Sequence, residues 1–229
     1  MKYADFEHVI STERMRRYLV ACHYDSRKAM TLYRYNLKLS QEMFTIISYF
    51  EVVLRNKIDC EMKEHYGNNW LRDSIMPQGI FCYDDRVDGT KKIITKAYNN
   101  LQLAHKYTHL RLLTEMDFGI WKFMFNNVQY RLSGRCLLNI FPNKPTSNLN
   151  SKFNNAYVFN ELDLVNHTRN RIAHHEPICF GSSANIDTQM VTHCYKSMIQ
   201  LFQWMDVDSK SLLYGLDHID LALDTFKNF

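Results

Sequence analysis

Residues that break regular structure are scarce in this chain, and that limits its fold more than any other feature. Seven glycines and four prolines are spread over 229 residues. These are the residue types that permit tight turns and interrupt helices and strands. Their scarcity predicts long regular elements joined by few tight turns. Little of the period-two alternation of half-buried strands is present, and apolar residues recur instead at spacings of three and four. The expected fold class is all-α. With a hydrophobic fraction of 46% and an aromatic fraction of 14%, a chain of this length can bury a good core as one large domain or two small ones. Residues 1–229 are read as a single helical domain.

The periodicity divides the chain as follows. Ser11 or Thr12 caps a first helix with Met15, Tyr18, Leu19 and Cys22 on one face. Asp25 caps a second, with Ala29, Leu32 and Tyr33 inward. Ser40 opens a third that runs to about Tyr66 on the stripe Met43, Ile47, Phe50, Leu54 and Ile58, and Gly67 stops it. Asn68 to Asp88, with Trp70, Pro77 and Gly79, reads as loop. A helix follows from about Thr90 to Lys106, with Ile93, Ile94, Ala97, Leu101 and Ala104. Thr114 with Asp117 resembles a capping box ahead of Phe118, Trp121, Phe125 and Val128. Gly119 in that helix costs about 1 kcal/mol relative to alanine, which predicts a close helix contact. A short helix at Cys136 to Ile140 ends at Pro142, and Asn143 to Asn150 is a polar connector. A long helix from about Phe153 carries Val158, Leu162, Val165 and Ile172 and is stopped by Pro177. Cys179 to Asn185 is a loop, and Asp187 begins a helix with Val191, Cys194, Met198, Leu201, Phe202 and Met205. The segment Asp217 to Phe226 is amphipathic.

The chemistry concentrates where the long helix ends, over Thr168-Arg169-Asn170-Arg171-Ile172-Ala173-His174-His175-Glu176-Pro177. Cations are favoured near a helix C-terminus by the macrodipole, yet this turn holds more hydrogen-bonding and titratable groups than capping requires. Asn170 and His174 are one turn apart and are neighbours on the surface. Arg169 and His174 point roughly 140° apart at their Cβ atoms, a gap that a long arginine side chain can close. An arginine, an asparagine and a histidine that converge suit a phosphodiester. Guanidinium matches phosphate oxygens bidentately, and imidazole moves protons near neutral pH. Arg171 is a further candidate for substrate binding.

Other candidates each have a plainer reading. Glu51, Arg55 and Asp59 stand four residues apart and read as a ladder of surface ion pairs, with support of the site as the alternative for Glu51 and Arg55. Leu54-Arg55-Asn56 echoes Arg169-Asn170, although Cys60 stands where a histidine would complete a second motif. His174, His175 and Glu176 include metal-ligand types but lack the H-E-x-x-H spacing, and no metal or other cofactor is expected. Cys179 near His174 reads as packing rather than as a nucleophile. Phe118, Trp121, Phe123 and Phe125 read as core rather than as a base-stacking platform. No G-x-x-x-x-G-K-[ST] loop is present, which argues against a P-loop nucleotide hydrolase. The six cysteines form no C-x-x-C pair, and Lys2, Asp5 and Glu7 interrupt the first ten residues. The thiols are therefore expected to be reduced and buried, and the chain cytoplasmic, with no membrane span. A net charge of +4 permits a nucleic-acid partner without demanding one.

Several blocks in order resemble the Abi-like (abortive infection) proteins of the HEPN superfamily. They are Ile10-Ser11-Thr12-Glu13-Arg14, Ala29 to Asn36, Phe50-Glu51-Val52-Val53-Leu54-Arg55-Asn56, Tyr66-Gly67-Asn68-Asn69-Trp70, Asp117 to Trp121, and Arg169 to Pro177. The most specific element is Arg-Asn-x-x-x-His at Arg169, Asn170 and His174. The resemblance implies a HEPN-like helical bundle with additional helices. It also implies metal-independent RNA cleavage in phage defence or as a toxin, at a cleft on a homodimer interface. Arg169 would hold the scissile phosphate, His174 would act as general acid or base, and Asn170 would orient the site. His175, Glu51, Arg55 and Asn56 would support it. RNA is the expected partner, with an antitoxin protein or RNA as a further one. A non-catalytic RNA- or nucleotide-binding module, or an interaction subunit of a defence complex, is the alternative.

Overall fold

The structure, a computed structural model, describes residues 1–148, 152–227 and 229. The fold is all-α. Among the described residues the extended pairing is one isolated antiparallel bridge, Phe180 with Ile186. The helices are α1 (Tyr3–Ile10), α2 (Thr12–Ala21), α3 (Ser26–Tyr66), α4 (Trp70–Asp73), α5 (Asp88–Leu103) and α6 (His109–Thr114). They continue with α7 (Phe118–Phe123), α8 (Asn127–Leu132), α9 (Asn155–Ala173), α10 (Gln189–Trp204), α11 (Ser209–Leu212) and α12 (Ile219–Lys227). Single 3-10 turns cover Ile80–Cys82, Asp85–Val87 and Cys136–Ile140. No helix of the described residues is long and apolar enough to cross a membrane.

The chain forms two compact units. The first comprises Met1–Ser48, His167–Ile199 and Ser209–Phe229. Its core holds Met15, Tyr18, Leu32, Ile178, Cys179, Phe180, Val191, Cys194 and Met198. Tyr18 meets Tyr33 and Phe180 edge-on, with ring centroids 5.3 and 5.2 Å away. Buried Asn36 accepts from the backbone N–H groups of Ile178 and Cys179 at 2.9 and 3.2 Å. It thereby supplies partners to backbone groups that would otherwise be buried unpaired.

The second unit comprises Tyr49–Asn166 and Gln200–Asp208. Phe50 lies 6.3 Å from Phe118 and 5.2 Å from Phe202, centroid to centroid. A charged cluster is built into this unit. Asp59 accepts from Trp70 Nε1 at 2.8 Å, from His109 Nε2 at 2.7 Å and from Lys63 Nζ at 2.6 Å. Burial pushes the Asp59 carboxyl up, and these three hydrogen bonds outweigh it, holding the group down at about 2. An ionised carboxylate only accepts, so His109 donates to it through Nε2–H.

The structure departs from the periodicity in several places. The helices expected to start at Asp25 and Ser40 are one helix of 41 residues. Asp25 does cap it, accepting from Arg27 and Lys28 N–H, but Ser40 lies inside it. Neither glycine nor proline occurs between Ser26 and Tyr66, so nothing stops propagation until Gly67, whose φ is +83°. Helix α1 was not anticipated. It buries no residue. The stretch read as loop, Asn68 to Asp88, contains α4 and two 3-10 turns.

Asp117, rather than Thr114, is the cap of α7 and accepts from Ile120 N–H at 3.2 Å. Thr114 ends α6 and donates back to Arg111 O. The close contact at Gly119 is to that capping carboxylate, 3.1 Å from where a Cβ would stand, and not to another helix. The run from Phe118 to Val128 is split, because Asn126 caps α8 by accepting from Val128 N–H. Of the aromatic set, Phe118, Trp121 and Phe125 are core, while Phe123 is 40% exposed. All six cysteines are free, but Cys60 and Cys82 are exposed rather than buried. The expected connector Asn143 to Asn150 has no regular structure as far as residue 148, and Leu149 and Asn150 lie outside the described residues.

Candidate active site

Helix α9 ends earlier than its proline requires. The last helical residue is Ala173. His174 N–H still donates to Asn170 O at 2.9 Å. His175 N–H then donates to Ile172 O and Glu176 N–H to Arg171 O, at 3.0 and 2.8 Å. This pair of bonds is a Schellman motif, with His175 in the left-handed position at φ +57°. A non-glycine residue there carries strain. The turn is held from several sides. Arg14 Nη1 donates to His175 O at 2.6 Å, and Arg171 Nη2 donates to Pro177 O. The structure thus ends the helix at Ala173, four residues before Pro177.

This turn forms one wall of an open cleft of about 720 Å³ within the first unit. It is lined by His174, His175, Glu176 and Pro177 of the turn, by Arg14, Arg16 and Arg17 of α2, and by Ser182 and Ser183. His174 and His175 are both exposed. Arg16 pairs with Glu13 at 3.0 Å, and both are mostly in solvent. Arg17 is committed inward. It donates to Gly181 O at 2.6 Å and to Ser183 O, and its guanidinium lies 4.7 Å from the Phe180 ring centre. Arg17 therefore shapes the cleft, whereas Arg14, though it also holds the turn, and Arg16 are exposed and offer charge.

The other anticipated residues fall elsewhere. Arg169 and Asn170 are outside the lining of this cleft. Arg169 Nη1 donates to Asn170 Oδ1 at 3.3 Å. Arg171 faces inward with 15% of its side chain exposed, reaching Pro177 O, Met190 Sδ at 3.6 Å and Glu176 at 3.6 Å. Its Nη2 donor serves the turn. Glu51, Arg55 and Asn56 belong to the second unit. There Arg55 Nε donates to Asn56 Oδ1 at 3.3 Å, a local bond like that of Arg169 with Asn170. Buried Cys179 has its thiol pushed up by burial to about 12, so it is a packing residue and not a nucleophile.

Arg14, Arg16 and Arg17 were not among the anticipated site residues. Their close spacing in Thr12-Glu13-Arg14-Met15-Arg16-Arg17 is the signal that was available. Only folding brings them to a turn far along the chain.

The Abi-like protein family matches residues 4–179. The chain belongs to the Abi-like family. No curated protein and no solved structure matches it. In this Abi-like protein the matched stretch takes in α2 with its arginines and the whole turn from Arg169 to Pro177. It stops short of Ser182 and Ser183, which also line the cleft.

Proposed function

We propose that this Abi-like protein is a metal-independent endoribonuclease of the HEPN type, acting in abortive-infection phage defence or as the toxin of a toxin–antitoxin pair. One observation carries the reading. His174 lines a cleft that Arg14 and Arg16 also line, so a proton-transfer group and cations border the same space. A polyanion is the ligand that such a cleft attracts.

In the proposed reaction the 2′-OH loses its proton to an imidazole and its oxygen attacks the adjacent phosphorus. The bond from phosphorus to the 5′-oxygen breaks, and that oxygen takes a proton from a second acid. The products are a 2′,3′-cyclic phosphate and a 5′-OH end. His174 fills one of the two proton roles. Guanidinium groups stabilise the charge that develops on the phosphoryl oxygens, with Arg169 assigned to this role and Arg14 and Arg16 added to it. Asn170 holds Arg169 through its side-chain bond. A second copy of the chain, related by a two-fold axis, supplies the other imidazole, because a symmetric interface presents the same patch twice.

The competing reading is an RNA- or nucleotide-binding module without turnover. It is favoured by the placement of Arg169 outside the cleft lining. Incubation of total RNA with the wild type and with His174→Ala, followed by mapping of the ends, separates the two. Cyclic-phosphate ends that appear only with the wild type support cleavage. RNA that is bound by both and cut by neither supports the module.

A further inference from the structure

The second unit gathers another set of reactive side chains, which the cleavage reading does not use. Glu61 and His65 are one turn apart near the end of α3 and so share a face. Cys136 begins the 3-10 turn Cys136–Ile140. One ligand atom from each of the three lies within 4.8 Å of the other two. His65 Nε2 stands 3.0 Å from Glu61 Oε1. The backbone brings Cys136 here through two successive left-handed residues, Gly134 and Arg135, at φ +69° and +61°. Tyr66 anchors that bend by donating to Leu132 O at 3.4 Å.

An imidazole, a thiol and a carboxylate at this separation are the donor types that suit zinc, whose tetrahedral sites mix nitrogen, sulfur and oxygen. The burial is graded in the way an open three-ligand site needs. Cys136 is 6% exposed, whereas the side chains of Glu61 and His65 are 12% and 48% exposed. The set is closed on the protein side and open to solvent on the histidine side. Asn139 Nδ2 donates to Glu61 Oε1 at 2.9 Å, an outer contact of the kind that orients a ligating carboxylate.

We propose that Glu61, His65 and Cys136 bind one Zn²⁺ ion, with water as the fourth ligand. The ion ties the end of α3 to the Cys136 turn, and the Cys136 thiol releases its proton to solvent when the ion enters. Cys136 stands far along the chain from Glu61 and His65, and folding brings it to them. The site lies within the second unit and the cleft within the first, so this inference stands apart from the proposed cleavage.

The test is a titration of tag-free, metal-stripped protein with Zn²⁺ and with Co²⁺. The wild type should take up one equivalent. Its Co²⁺ form should show the strong visible bands of a four-coordinate ion and a thiolate charge-transfer band. Cys136→Ser should lose the charge-transfer band, and Asn139→Ala should weaken binding by about tenfold. Variants of the exposed thiols, Cys60→Ser and Cys82→Ser, should behave as wild type. Absence of stoichiometric binding overturns the proposal, as does a charge-transfer band that survives Cys136→Ser or disappears with Cys60→Ser or Cys82→Ser. If Cys136→Ser does not fold, exposed His65→Ala decides. Affinity lowered at least tenfold supports the site, and unchanged affinity overturns it.

Discussion

The cleft of the first unit and the Asp59 cluster of the second are both rich in charge, and they use it in opposite ways. Asp59 is 7% exposed, and its oxygens accept from Trp70, His109 and Lys63. Its carboxylate is matched by donors that the fold brings to it, which is what burying a charge requires. At the cleft the balance differs. Arg14, Arg17 and Arg171 each give donors to backbone carbonyls and Arg16 pairs with Glu13, while His174, His175, Arg14 and Arg16 remain exposed. A cluster whose members satisfy one another holds structure together. A rim whose cations brace the backbone and still reach solvent is available for a ligand.

The sharpest way to break this contrast is at the cleft. His174→Ala and Arg169→Ala should each lower RNA cleavage by about 10²–10⁴-fold, with the helical circular dichroism spectrum unchanged. Wild-type cleavage by both folded variants would end the active-site assignment.

The Asp59 cluster should respond in stability instead. Asp59→Ala strands the donors of Trp70 and His109 and is expected to cost about 3 kcal/mol, read from urea denaturation. The same carboxylate predicts an acid limb. Its folded-state value, about 2, lies below the ordinary aspartate value. Its contribution is therefore full above the unfolded value near 4 and is lost as pH falls through about 2. Relative to wild type, Asp59→Ala should have a flatter stability profile across that window. Equal slopes would mean that the cluster contributes nothing.

A smaller effect tests the shared cleft. When wild-type chains are mixed with excess His174→Ala chains that exchange subunits, activity per wild-type chain should fall toward that of the variant. A flat response despite demonstrated exchange rules out a two-fold site. The smallest expected effect is that of a chelator. Cleavage of an unstructured RNA by folded Cys136→Ser protein should be the same with and without EDTA. Loss of activity that one metal restores would overturn metal-independent cleavage.

Much of the fold was legible along the chain. Met43, Ile47, Phe50, Leu54 and Ile58, and likewise Val191, Cys194, Met198, Leu201, Phe202 and Met205, are all buried as their spacing predicts. Periodicity reports which face is apolar, and burial of that face is what stabilises a helix. Boundaries were less legible. Ser40 can cap a helix or continue one, and Asp117 can occupy either end of a capping box, because both choices satisfy the same local hydrogen bonds.

By itself, the sequence determined that the chain is helical, which faces of its longer helices are buried, and that polar chemistry concentrates at the end of α9. Those properties depend on residues within a few turns of one another. Only the tertiary structure decided that His174 shares a cleft with Arg14 and Arg16, that Arg171 turns inward to Pro177, and that Glu61 and His65 meet Cys136. Each of these depends on where distant stretches come together. No local period encodes that, because a solvent-facing arginine looks the same along the chain whether it lines a cleft or none.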